Sequence, residues 1–297
     1  MTIRTSPIDD DREHAKLRHR RKRPTSFYVR RGLIYVVLLL VAAVFVGPFV
    51  LLLSTGLKPP HQPVYSFPPQ IIPLPPVLTW LNEAWNAIPF ARMLVNSVAY
   101  TVVTVPLYLL VSAMTAYPLA RIRFPARSAF FIMFLSIMFM PPELMLVPRF
   151  LVMNELGMTD TYAAVIIPAL LSSLGIFLLR QTFAGIPDEV IEAARIDGAS
   201  EWGVFHRVVL PMARPTMALL SILGFISVWN SFVWPLVVLN TQQKFPITLG
   251  IAYLSGVSGT DVRGLAAGTM VSLIPVIAVF MILQRRILDS MGGAVKG

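Results

Sequence analysis

Six apolar stretches, near residues 33–55, 93–119, 128–150, 161–179, 216–239 and 264–283, are each long enough to cross a bilayer. Crossing takes about 20 residues for ~30 Å of hydrocarbon. Five of the six contain no Asp, Glu, Lys or Arg, and the third holds Glu143 and Arg149 toward its far end. Six buried helices of a soluble protein would need polar outer faces, which these segments lack. The fold class that follows is all-α, a polytopic membrane protein with six transmembrane helices. Composition agrees: 13% of the residues are charged and 56% hydrophobic, against about 25% charged in a soluble domain. With no cysteine, a disulfide scaffold, zinc–thiolate and iron–sulfur centres and a thiol nucleophile are excluded.

The net charge of +10 is distributed unevenly. Twenty of the 25 Lys and Arg lie in 1–32, 120–127, 180–214 and 284–297, the segments that share one side of the membrane if the chain alternates through six spans. The positive-inside rule makes that side cytoplasmic, with both termini on it. The basic run Arg18, Arg20, Arg21, Lys22 and Arg23 stands ten residues before the first span. It fits a solvated tail against anionic lipid heads better than a nucleic-acid site. The stretch 33–55 is too long for a signal-peptide core and no small-x-small cleavage site follows it, so it is an uncleaved span. The expected organisation is a basic, disordered arm over 1–32, a six-helix membrane domain over 33–289, and a cytoplasmic tail over 290–297. Outside the membrane, 56–89 is rich in proline and extended for most of its length. Its Trp80, Leu81, Ala84, Trp85 and Ile88 make one apolar helix face, suited to the interface or to packing on the spans.

Energy coupling leaves signatures, and the common ones are missing. Proton-driven carriers need ionisable groups inside the membrane, and only Glu143 near an edge offers one. A P-loop needs G-x-x-x-x-G-K-[ST]. Lys16, Lys22, Lys58, Lys244 and Lys296 follow Ala15, Arg21, Leu57, Gln243 and Val295, never a glycine. His14, His19, His61 and His206 fit no ligand spacing, so no metal or cofactor is expected. The chain is not expected to be an enzyme; uphill movement would draw on another subunit.

The longest internal loop, 185–211, reads as helix–turn–helix. Pro187 and Asp188 start a helix, the Asp by capping free N–H groups. Val190, Ile191 and Ala194 give it an apolar stripe, and Gly198 ends it in a left-handed turn. Ser200 and Glu201 begin a second helix carrying Val204, Phe205 and Val208 inward, stopped by Leu210-Pro211. DNA binding demands a basic surface, but 180–214 carries four Arg against five Asp and Glu. A protein partner fits better than nucleic acid.

Glu192-Ala193-Ala194, Asp197-Gly198-Ala199 and Val209-Leu210-Pro211 resemble the EAA loop of bacterial ABC importer permeases. That pattern is E-A-A, a glycine four residues after the second alanine, and an apolar–Leu-Pro ending about a dozen residues on. Asn96-Ser97, Trp229-Asn230, Trp234-Pro235-Leu236, Gln284-Arg285-Arg286 and the terminal Gly293-Ala294-Val295-Lys296-Gly297 resemble the carbohydrate-uptake, maltose-type branch. The resemblance runs from about residue 30 to the end. It implies a homologous permease partner, two cytoplasmic ATP-binding subunits and an extracytoplasmic solute-binding protein, in a bacterial cell membrane. It also implies that the loop is a coupling helix docked in an ATPase cleft. Glu192 would then pair with a basic group of the ATPase, Ala193 and Ala194 would make the close contact, and Gly198 would provide the turn. Asp197, Leu210 and Pro211 complete the motif. The bulky Trp202 and Phe205 are a departure, read as packing on the spans.

For substrate, Trp229 and Asn230 sit in an otherwise apolar span, where an aromatic face and an amide suit a sugar. Asn96, Tyr100 and Thr101 can face the same pathway, and helix–helix hydrogen bonding is the alternative for each. Pro106, Pro168, Pro235 and Pro275 can bend spans and free backbone groups to line a cavity. The leading expectation is a permease subunit of an ATP-driven sugar or oligosaccharide importer. The alternatives are a self-sufficient secondary carrier or channel, a membrane-anchored regulator using the arm and the hairpin, or an importer permease for a non-sugar solute such as a glycerol phosphate.

Overall fold

The structure, a computed structural model, describes residues 25–257 and 262–294. The basic run of the arm and the last three residues lie outside these, as do the side chains of Gln284-Arg285-Arg286. By contacts the chain divides into two units, Met1–Leu51 and Leu52–Gly297. The first holds most of helix α1, Thr25–Leu57, whose apolar run from Arg31 has a mean hydropathy of 3.1. The last residues assigned to the arm, 25–32, are thus helical.

The second unit continues with α2 (Thr79–Ala87), α3 (Phe90–Arg121), α4 (Arg127–Met138) and α5 (Leu146–Glu155). Next come α6 (Tyr162–Ala169), α7 (Ser173–Ala184), α8 (Asp188–Ile196) and α9 (Glu201–Met212). The chain ends with α10 (Arg214–Trp229), α11 (Val233–Val238), α12 (Ile247–Val257) and α13 (Val262–Ala294). Among the described residues four helical segments are long and apolar enough to span, and two further pairs qualify only as bent ones. The second bent pair joins α9 to α10 at 75°. The third, fourth and fifth apolar stretches are each interrupted, the fourth by a break at 170–172 between α6 and α7. The third is broken between α4 and α5 with a bend of 104°. The fifth stops at Trp229 and restarts at Val233. The short helix α12, between the fifth and sixth stretches, was not expected.

Proline accounts for where these breaks fall. It has no N–H to give the carbonyl four residues back, and its ring crowds that carbonyl. Pro141 and Pro142 point this conflict at Ile137 and Met138, where α4 ends. Pro235 points it at Ser231, inside the 230–232 break. Pro168 frees the carbonyl of Ala164, and the Trp234 indole N–H donates to it at 2.8 Å. The proline of one broken helix is thus satisfied by the aromatic of the other, as hydrocarbon requires.

Helix α3 is the central element and packs most extensively against α7 and α10. The α3–α7 contact is close because Gly175 has no Cβ: one placed there would lie 2.7 Å from the Ser112 hydroxyl and 2.9 Å from the Tyr108 ring. Helix α2 packs on the protein itself, burying Ala84 and Ile88, while Trp80 donates to the Lys58 carbonyl at 2.7 Å. At the end of the bundle where α3 begins, Asp160 (φ +55°) ties two loops together. Its carboxylate accepts from the N–H groups of Asn240 and Thr241, each at 3.0 Å, from the Thr241 hydroxyl, and from Lys244 Nζ at 3.0 Å. Burial by itself would raise this carboxyl's pKa. The hydrogen bonds from Thr241, Asn240 and Lys244 outweigh that and hold it well below the usual carboxylate range.

Two outcomes follow. Gly175→Ala is expected to destabilise by about 1–3 kcal/mol through overpacking, read as a lower unfolding temperature in detergent. Asp160→Asn is expected to unfold more easily at pH 7. A depressed native pKa contributes stability above the unfolded value near ~4 and loses it as pH falls below that. The gap between wild type and Asp160→Asn should therefore narrow as pH falls below ~4 and close only in stronger acid, as pH approaches the depressed native value; a gap unchanged between pH 7 and pH ~2 would contradict the assignment.

Candidate functional site

At the other end of α3, the 185–211 loop forms the expected helical hairpin of α8 and α9. Its turn is a paired closure: Gly198 N–H donates to the Arg195 carbonyl and Ala199 N–H to the Ala194 carbonyl, each at 3.0 Å. That closure needs a left-handed residue, and Gly198 has φ +84°. Ser200 caps α9, accepting from Gly203 N–H at 3.2 Å.

Three local expectations are corrected. Pro187, not Asp188, occupies the capping position of α8, and Asp188 makes an ion pair instead. Helix α9 ends at Met212, ahead of α10 as expected, but reaches it through a π-helical turn at Phe205–Val209. Pro211 cannot donate to the Arg207 carbonyl, and the wider turn relieves the clash. The extra residue per turn brings Val209 inward with Val204 and Phe205 in place of Val208. Trp202, expected to pack on the spans, is 60% exposed.

The hairpin is fastened to α3 by groups that sequence reading passed over. Arg121, the last residue of α3, donates Nε to the Phe183 carbonyl at 2.8 Å and a terminal nitrogen to the Ile186 carbonyl. Its other terminal nitrogen pairs with the Asp188 carboxylate. One guanidinium therefore joins the end of α3, the last turn of α7, the link after it and the start of α8. One turn earlier, Tyr117 donates to Glu201 Oε2 at 2.8 Å, while Arg195 holds Oε1 at 2.7–3.0 Å. Below these ties Ile191, Val204, Phe205 and Val209 are buried against Ala116, Leu179 and Phe183. In the sequence Arg121 counted only as one of the inside-facing basic residues.

The outer face of the hairpin carries the motif. Glu192, Ala193 and Asp197 are exposed, and Ala194 is half-buried. Ile196, at 85% exposure, stands beside them. Leu210 and Pro211, at the spanward end, are partly buried.

The five residues read as substrate contacts do not share a surface. Thr101 is buried and donates to the Ser97 carbonyl of its own helix at 2.7 Å. Asn96 Nδ2 donates to the carbonyls of Gln243 (2.7 Å) and Phe245 (3.0 Å), and its Oδ1 accepts from Tyr162 at 3.0 Å. Tyr100 donates to the Lys244 carbonyl at 2.8 Å. Both are buried and fix the 242–245 turn to α3, so their polar atoms are occupied. Trp229 is buried and stacked on Phe225 at 5.7 Å. Asn230 ends α10 with its amide turned back to the Ile226 carbonyl at 2.9 Å.

A cavity of about 340 Å³ opens elsewhere, where the two broken helices face α3. Hydroxyls of Thr104, Tyr108, Ser172, Ser227 and Ser231 line it, together with Arg149 and Trp234. Ser172 and Ser231 come from the breaks themselves. The prolines were the sequence signal for this cavity; which polar residues would face it depended on where each helix stopped.

The model of a family described as binding-protein-dependent transport system inner membrane component matches residues 86–292. The chain is 38% identical over 203 residues to the arabinooligosaccharides transport system permease protein AraQ of Halalkalibacterium halodurans, covering 68% of this chain and 73% of that protein. It is 33% identical over 232 residues to the sn-glycerol-3-phosphate transport system permease protein UgpE of Shigella flexneri, covering 75% and 83%. A chain in the crystal structure of a bacterial ABC transporter involved in the import of the acidic polysaccharide alginate shares the fold, with a TM-score of 0.76 at 24% identity. That match covers 88% of this chain and 98% of the other. With the family matched across most of its length, the chain belongs to the binding-protein-dependent transport system inner membrane components and is a multi-pass membrane permease, a transport protein rather than an enzyme.

Proposed function

We propose that this permease forms half of the translocation pathway of an ATP-driven importer for a sugar or oligosaccharide. The other half would be a homologous permease, with two ATP-binding subunits on the hairpin side and a solute-binding protein on the opposite side. The basic residues that flank the hairpin end support placing that end, and both termini, in the cytoplasm. The names of the arabino-oligosaccharide and glycerol-phosphate relatives support a hydroxylated solute.

The observation that carries the coupling assignment is the Arg121 tie. On this reading the exposed Glu192 meets a basic group of the ATP-binding subunit, and Ala193 and Ala194 let the two backbones approach. Ile196 and Trp202 supply apolar anchors of the kind that dominate interface energies. Asp197 and Gly198 form the tip, while Leu210 and Pro211 aim α9 back toward α10. Closure of the ATP-binding subunits then displaces α8 and α9. Because Arg121 and Tyr117 hold both helices to α3, the displacement passes into that helix. Tyr108 lies about 20 Å further along it, at 1.5 Å per residue, in the wall of the cavity. A rigid α3 thereby connects an energy input at one end to the solute path at its middle.

Gly198→Val places a β-branched residue in a left-handed conformation, a strain of about 1–3 kcal/mol. With Glu192→Ala it is expected to abolish solute uptake in vesicles holding the complete transporter. Arg121→Ala should leave the ATP-binding subunits attached while more ATP is hydrolysed per solute moved. Wild-type uptake in the first variant and wild-type coupling in the second would remove the assignment.

A further inference from the structure

We propose that Arg149 makes the cavity selective for an anionic solute, a hydroxylated compound carrying a carboxylate or phosphate. The inference rests on the cavity being part of the solute path, as proposed above. Arg149 lies on α5, within an apolar stretch where a charged group is costly and calls for a partner. Among the described residues no carboxylate pairs with it and no acceptor takes a hydrogen bond from it. Glu143 and Glu155 are exposed, and Asp160 is engaged by Lys244. The Arg149 guanidinium carbon lies over the Trp234 ring, 5.2 Å from the ring centroid.

That leaves the Arg149 donors available to the cavity. A guanidinium whose N–H groups meet no acceptor in the protein can offer them to a planar, bidentate anion. It also occupies a face of Trp234 that a neutral sugar would use for stacking, and the indole N–H is already given to the Ala164 carbonyl. The lining contains no carboxylate and no side-chain amide, the groups best suited to binding several hydroxyls of a neutral sugar. It offers one cation and a ring of hydroxyls. Such a wall is positive overall and draws an anion, while Thr104, Ser227 and Ser231 can hydrogen-bond the solute's own hydroxyls.

The test uses the complete transporter in vesicles with its cognate solute-binding protein and three probes: an arabino-oligosaccharide, a uronic-acid oligosaccharide and glycerol 3-phosphate. Uptake of a uronide or of the phosphate ester is expected, and which one identifies the anion. Uptake confined to the neutral arabino-oligosaccharide overturns this inference and leaves the import reading intact; uptake of none of the three overturns the import reading. Loss of a charge-assisted hydrogen bond is worth at least about tenfold. For the anionic probe, Arg149→Gln should therefore lower the maximal rate by that factor without changing half-saturation, which the solute-binding protein sets. Arg149→Lys should restore part of the rate. An unchanged rate in Arg149→Gln overturns the proposal. A measurement on the unaltered protein covers a variant that fails to assemble. The methyl ester of the uronide, loaded on the same solute-binding protein, is expected to move at least tenfold more slowly than the free acid. Equal rates for ester and acid overturn the proposal.

Discussion

The guanidinium of Arg121 is the point on which the rest of the molecule turns. A helix end leaves carbonyls short of partners, and this one side chain takes the Phe183 carbonyl in the last turn of α7 and the Ile186 carbonyl just beyond it. The same group holds Asp188 at the start of the hairpin. Its side chain is only 10% exposed, against 81% for Asp188. The ion pair alone, open to water on one side, would contribute little. The carbonyl bonds are what fix the guanidinium, and the fixed guanidinium then positions the hairpin. Tyr117 and Glu201 repeat the arrangement one turn earlier for the second helix.

Much of this was legible in the sequence because hydrocarbon leaves few choices. Apolar length marked the candidate spans, and Pro187, Gly198 and Ser200 marked the hairpin almost to the residue. The breaks were less legible. Proline marks where a helix can break, but α3 runs through Pro106 and Pro118 unbroken. Whether a helix stops depends on whether something else takes the freed carbonyl, and that partner lies on another helix. Trp234 serving Ala164 is such a case, and no local pattern announces it.

The same limit explains the polar residues. Asn96 and Tyr100 have the chemistry of sugar contacts, yet the turn at 242–245 consumes their hydrogen bonds. Arg149 was visible as a charge in an apolar stretch, but only the 104° bend shows that α5 turns it toward a cavity. Polar side chains in a membrane are either structural or functional according to whether a partner is already present, and partners are a property of the fold. What remains unpartnered after folding is therefore the better guide to the site.

On the proposed function, the 188–212 hairpin receives the energy of transport from an ATP-binding subunit. The chain contains no cysteine, so Ile196→Cys places a single thiol at the exposed tip. In vesicles holding the complete transporter, a short bifunctional maleimide should join that thiol to a cysteine in the cleft of the ATP-binding subunit. The yield should change when ATP is added. A thiol that instead reacts with an impermeant reagent from the side of the solute-binding protein, and forms no such cross-link, would contradict the account.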